Sequence, residues 1–199
     1  MAYFISRAIL RVLFKILFRL EVIGAENCPE YGPLIVASNH VSFLDPILVG
    51  VSVSRPLNFM ARDSLFKHKI FAKVLRAVNA FPLKRDGVDL GAMRSAIDKL
   101  AEGKAVLIFP EGTRSKDGTL GSPRPGIGLL AANSGASILP CYIEGAIDAL
   151  PRHVVFPRFK KISVYMGKPL RFDTRDTGKE YYTKIAMDTM AAIRGLKPR

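Results

Sequence analysis

The stretch LIVASNHVSFLDP, residues 34–46, decides the fold. Its first five residues form an apolar run without alternation, the pattern of a short strand covered on both faces. Asp45-Pro46 reads as a helix N-cap followed by proline at the first helical position, so a helix is predicted to begin there. A buried strand passing through a short polar turn into a helix is the building unit of an α/β sheet.

The chain downstream repeats that unit. Strands are predicted over 57–61, 80–83, 105–109, 137–143 and 161–166. A helix is expected to open at Asp63 or Ser64, with Leu65, Phe66, Ile70, Phe71, Val74, Leu75 and Val78 at helical spacing. Asp89 is placed to cap a helix bearing Leu90, Met93, Ile97 and Leu100 and ending at Gly103. Further helices are expected over 126–133 and 179–193. A loop rich in Gly, Pro, Ser and Arg fills 110–125, and 146–159 reads as irregular, broken by Pro151 and Pro157. The fold class is therefore α/β, a mainly parallel or mixed central sheet flanked by helices. Upstream, residues 23–33 (IGAENCPEYGP) read as a connector.

The first twenty residues, MAYFISRAILRVLFKILFRL, contain no acid and carry Arg7, Arg11, Lys15 and Arg19 four residues apart. Successive cations at that spacing drift by about 40°, so they form one basic stripe on a helix otherwise covered in Phe, Ile, Leu and Val. A spanning helix needs about 20 mostly uncharged residues, and a signal peptide needs an uncharged centre. The pattern fits a helix lying in a membrane interface, with packing against the chain's own domain as the alternative. Two segments follow: an amphipathic helix over 1–22 and a single α/β domain over 23–199.

The whole chain agrees with an anionic partner. Lys and Arg number 30 against 17 Asp and Glu, a net charge of +13 across 199 residues, 49% of them hydrophobic. The two cysteines, Cys28 and Cys141, are far apart, which fits a reducing setting without a disulfide framework or zinc site.

Chemistry in such folds gathers at the carboxyl ends of strands. Three blocks sit there. His40 follows a strand directly, with Asp45 five residues on, close enough for a turn to join carboxylate and imidazole. Lys84 and Arg85 follow the strand of FPLKR, residues 81–85. Glu111, Gly112 and Arg114 follow the clearest strand in FPEGTRS, residues 109–115. Gly112 permits close backbone approach, and the fork of Arg114 suits a phosphate. Taken singly, Asp45 could be only a cap, and the arginines could be solvated surface cations.

In order and spacing, SNHVSFLDP, FPLKR, FPEGTRS and the later Ile138-Leu139-Pro140 resemble the four motifs of the glycerolipid acyltransferases, of the 1-acylglycerol-3-phosphate acyltransferase type. The resemblance implies His40 as general base and Asp45 as its orienting partner. It implies Arg85 and Arg114 in phosphate binding, Glu111 and Gly112 in acceptor binding, and Pro140 on the acyl-donor side. Where the family's second block usually starts with Gly, six residues before its Arg, this chain has Asn79. The implied reaction moves a fatty acyl group from acyl-CoA or acyl-carrier protein to the free hydroxyl of 1-acylglycerol 3-phosphate, giving phosphatidate. The partners implied are an anionic membrane surface at the cytoplasmic face, held peripherally or monotopically, a lysophospholipid acceptor and an acyl thioester donor. No cofactor is expected beyond the thioester as co-substrate, no metal cluster is visible, and no nucleic acid is expected. Competing readings are an acyltransferase for glycerol 3-phosphate or another lysolipid, an inactive membrane scaffold, and a basic nucleic-acid-binding module using Lys67, His68, Lys69, Lys73 and Arg76.

Overall fold

A computed structural model describes residues 2–84, 89–151, 154, 156–174 and 176–198. The described strands are β1 (Glu21–Ile23), β2 (Leu34–Ser38), β3 (Leu57–Arg62), β4 (Ala80–Leu83), β5 (Ala105–Ile108), β6 (Ser137–Glu144) and β7 (Ser163–Met166). The helices are α1 (Ala2–Phe18), α2 (Asp45–Ser52), α3 (Lys69–Ala77), α4 (Leu90–Ala101), α5 (Gly126–Ser134), α6 (Ala146–Ala149) and α7 (Lys179–Gly195). The strands form one sheet in the order β1-β7-β6-β2-β5-β3-β4. Every pairing is parallel except β6 with β7.

The apolar run at residues 34–38 becomes β2 in the middle of this sheet, between β5 and β6, with every residue buried. Side chains alternate across a strand. Leu34 and Val36 pack on one face with Phe14 and Phe18 of α1 and Leu48, Val49 and Val51 of α2. Ile35 and Ala37 pack on the other with Ala96 and Leu100 of α4, Ile127 and Leu130 of α5, and Ile185 and Met190 of α7. Asp89 caps α4 as predicted, accepting a 3.0 Å bond from the Ala92 N–H.

Several details differ from the sequence expectation. Asp45 does not cap α2; Leu44 holds that position, and the Asp45 side chain turns back into the preceding loop. The helix expected from residue 63 is split into a 3₁₀ turn, Asp63–Phe66, and α3 from Lys69, with His68 extended between them. Glu21–Ile23 form β1, paired with β7, so the boundary expected at residue 22 falls inside a strand. The helix itself ends at Phe18: Arg19 is left-handed, φ 48, and Leu20 N–H closes onto the Phe14 carbonyl. Arg19 is therefore outside the helix, and Arg7 points inward, donating to the carbonyls of Val53 and Ser54 beyond the end of α2. Cations suit that end of a helix. The expected basic stripe reduces to Arg11 and Lys15.

α5 and α7 approach so closely that a methyl group on Gly128 would sit 2.0 Å from the Tyr182 carbonyl oxygen. Gly128→Ala must push the two helices apart. Urea unfolding is expected to show a loss of about 1–3 kcal/mol, and an unchanged midpoint would contradict this packing.

Candidate active site

β2 delivers the chain to the carboxyl edge of the sheet at Ser38, and the turn of residues 39–44 carries it into α2. The turn is tied down at both ends. Asn39, buried, bonds across to β6 in both directions: its Nδ2 donates to the Ile143 carbonyl at 3.0 Å, and its Oδ1 accepts from the Ile143 N–H at 2.7 Å. Ser42 Oγ donates to the Leu150 carbonyl at 3.0 Å.

Between these anchors Asp45 folds back. Its Oδ2 accepts from His40 Nδ1 at 2.8 Å, from the Val41 N–H at 2.6 Å and from the Ser42 N–H at 2.7 Å. The carboxylate is fully buried and lies in the first turn of α2, where the helix dipole favours a negative charge. The imidazole stacks on Phe109, with ring centroids 3.9 Å apart and planes 15° from parallel. Two restraints thus hold the ring: a carboxylate at Nδ1 and an aromatic face alongside. Nε2 has no hydrogen-bond partner among the described residues, and the side chain is 15% exposed.

The loop after β5 closes over this turn. The Ser115 N–H donates to the His40 carbonyl at 2.7 Å. Glu111 is buried, and both its oxygens accept backbone N–H groups, His40 at 3.2 Å and Gly121 at 2.8 Å. Its carboxylate joins the two loops, an occupation the sequence reading did not foresee for a residue expected to meet the acceptor. Gly112 turns with φ 68, the left-handed region that favours glycine, with the Arg124 side chain alongside. Asp117 fastens the far part of the loop. Bonds from the Thr119 hydroxyl and N–H and from Ser115 Oγ hold its carboxyl down at about 2.

Arg114 sits over Phe43, its guanidinium carbon 3.5 Å from the ring centroid. A cation over an aromatic face is attracted by the ring's negative face. Arg62, ending β3, and Arg124, beside Gly112, add positive charge at the same edge. Arg85 lies outside the described residues. The site of the departure at Asn79 does not: Asn79 adopts φ 63, the left-handed backbone a glycine would supply, and its carbonyl accepts the Phe59 N–H at 3.2 Å. Asparagine is among the few residues that tolerate this conformation. Pro140 is buried inside β6, away from the strand's carboxyl end, with its carbonyl accepting from the Gly167 N–H at 2.9 Å.

The sequence brought together His40, Asp45, Glu111, Gly112 and Arg114, and the structure does too. It adds Asn39, Phe43, Phe109 and Arg124. Phe109 could have been suspected from its place at the end of the strongest strand.

Comparison with known proteins fits this geometry. The family model described as Acyltransferase matches residues 19–144. The chain belongs to the Acyltransferase family. It is 30% identical over 152 residues to the chloroplast 1-acyl-sn-glycerol-3-phosphate acyltransferase LPAT1 of Arabidopsis thaliana, a match covering 75% of this chain and 42% of that protein. It is 30% identical over 163 residues to the 1-acyl-sn-glycerol-3-phosphate acyltransferase of Bacillus subtilis, covering 81% and 78%. The crystal structure of the 1-acyl-sn-glycerophosphate acyltransferase PlsC of Thermotoga maritima superposes with a TM-score of 0.79 at 27% identity, over 96% of this chain and 76% of that one. The chain thus spans less than half the length of the chloroplast relative.

The bonding of Glu111 has a direct consequence. Glu111→Ala would leave two backbone N–H groups without their acceptor, a loss of about 1–3 kcal/mol for a buried group. A lowered urea midpoint is expected; a carboxylate reserved for substrate would leave the midpoint unchanged.

Proposed function

We propose that this protein acylates the free hydroxyl of 1-acylglycerol 3-phosphate, giving phosphatidate, with a fatty acyl thioester of CoA or a carrier protein as donor. The observation that carries this reading is the His40–Asp45 pair, with Nδ1 tied to a buried carboxylate and Nε2 open at the carboxyl edge of the sheet. Similarity to proteins named for this activity supports the choice of acceptor.

His40 Nε2 accepts the proton of the acceptor hydroxyl as its oxygen attacks the thioester carbonyl. Asp45 keeps the ring proton on Nδ1 and stabilises the imidazolium that forms. The new C–O bond replaces the C–S bond. The thiolate leaves and takes the proton from His40, which returns to its starting state. The lipid hydroxyl is itself the nucleophile, so no acyl-enzyme is required. Arg114, and Arg85 after β4, hold the acceptor phosphate by paired hydrogen bonds. Glu111 and Gly112 shape the acceptor side by fixing the loop, and Pro140 shapes the donor side from within β6.

The reaction takes place at an anionic membrane surface on the cytoplasmic side, with α1 lying in the interface. No described helix is long and apolar enough to cross a membrane. α1 buries one arc on its own domain through Phe14 and Phe18, yet leaves Ile5, Ile9, Val12 and Ile16 between 54% and 72% exposed on another, beside Arg11 and Lys15. An apolar ridge flanked by cations is the surface an anionic bilayer takes up.

His40→Ala is expected to lower turnover by about 100- to 10,000-fold with the fold retained. Near-normal turnover by the folded variant would remove His40 from the mechanism. Arg114→Ala and Arg85→Ala should each raise the acceptor KM in detergent micelles by about 10- to 150-fold, with donor KM little changed, as expected for a lost charge-assisted bond. Wild-type acceptor KM in both would leave them as surface cations.

Deleting α1 would strip Phe14 and Phe18 from the core, so its membrane role is better tested in place. Ile9→Glu combined with Ile16→Glu should weaken flotation with anionic vesicles at least about tenfold, since each buried side chain contributes about 1.5–3 kcal/mol. Unchanged flotation would refute the α1 contact.

A further inference from the structure

α3 leaves an apolar arc in water beside a cationic one. Ala72 is its buried residue, while Ile70 is 84% exposed, Val74 53% and Phe71 47%. At about 100° per residue these three fall within one arc of about 100°. Leu65, in the preceding 3₁₀ turn, is 42% exposed and lines the same shallow apolar pocket as Ile70, Phe71 and Val74. Lys69, Lys73 and Arg76 occupy the adjoining arc, all exposed, and Lys67 precedes them. From Ser64 to Lys84 the sequence contains no acidic residue.

This segment also has a defined place. β3 ends at the carboxyl edge of the sheet, so the 3₁₀ turn and the start of α3 stand at that edge, on the β3–β4 side of His40. On the other side, β6 ends and antiparallel β7 begins at the same edge, and their connection carries Phe156, 81% exposed, and Phe159, 64% exposed. Phe159 stands beside Phe18 at the end of α1, ring centroids 6.1 Å apart. The edge that holds the candidate site is thus flanked on both sides by exposed apolar side chains set among cations.

We propose that the 3₁₀ turn and α3 form a second lipid-contacting element, which inserts Leu65, Ile70, Phe71 and Val74 into the acyl region of an anionic bilayer while Lys67, Lys69, Lys73 and Arg76 meet lipid phosphates. It rests on the reading that this protein works at a membrane surface. The cations alone would suit a nucleic acid equally well. The apolar ridge beside them decides for lipid, because duplex backbones offer charge and polar contact but nothing to take up an exposed isoleucine and phenylalanine. With α1 engaging as well, two contacts restrict the orientation of the domain, whereas a single helix would leave it free to pivot.

The test exploits the buried native thiols: Cys28 and Cys141 are both shielded, and burial pushes the Cys141 thiol up. Single cysteines are introduced into the full chain as Ile70→Cys, Ile9→Cys on α1 and Asp98→Cys on the exposed side of α4, each coupled to an environment-sensitive fluorophore. Vesicles of phosphatidylcholine and phosphatidylglycerol should blue-shift the emission at positions 70 and 9 and leave position 98 unchanged. A shift at position 9 without one at position 70 overturns the α3 contact and leaves the α1 contact standing. No shift at either position overturns both. A shift at position 70 produced by duplex DNA rather than vesicles overturns the lipid assignment. As a second measurement, Ile70→Asp with Val74→Asp should weaken vesicle flotation at least tenfold while sparing turnover on a short-chain, water-soluble lysophosphatidate; unchanged flotation contradicts the proposal.

Discussion

One oxygen atom organises the working end of this protein. Oδ2 of Asp45 accepts three hydrogen bonds, from the His40 ring and from the two backbone N–H groups that follow it. A fully buried carboxylate is costly unless such donors surround it. Here they come from the turn that the carboxylate must hold, so the solvation of Asp45 and the shape of the turn are one requirement. The bonds fix the path from β2 to α2 and, through that path, the direction of the imidazole. Phe109 braces the ring from the side, and Glu111 locks the loop after β5 onto the His40 backbone. Changing the turn therefore disturbs the ring, the helix start and the neighbouring loop together.

The central part of this arrangement was legible from residue types and spacing. The apolar run from Leu34 to Ala37 reads as a covered strand, and Asp89 and Gly103 punctuate α4 in ways that local backbone chemistry favours. What stayed hidden depends on partners distant in the chain. β1 is three residues long and exists only because β7 lies alongside it, so no local pattern marks it. The antiparallel entry of β7 and the order of strands are likewise properties of the assembled sheet. In the site, the spacing of His40 and Asp45 foretold their meeting, since only a turn separates them. The two-way bonding of Asn39 to Ile143, across 104 residues, and the engagement of Glu111 with backbone could not be read from either segment alone.

The N-terminal helix divides its apolar surface between a packed arc and an exposed one. Its apolar surface is wider than one packing face, which suggested an interface with lipid; the alternative was packing against its own domain. Phe14, Phe18 and the inward Arg7 take up the packed arc, and the isoleucine ridge remains in water. Charge spacing alone could not separate a cation that stitches α1 to the end of α2 from cations facing out, because the helical wheel specifies arcs but not which arc meets the domain.

The proposed proton transfer depends on the tautomer of His40, and nitrogen NMR reads it directly. The chain has three histidines, so removing His68 and His153 by substitution leaves one ring to observe. With 15N-labelled imidazole, the neutral His40 ring should show a protonated Nδ1 and an unprotonated Nε2, and Asp45→Asn should disturb that pattern. A neutral ring protonated at Nε2 in the wild-type protein would put the proton where the base must be vacant, and would contradict the role given to the His40–Asp45 pair.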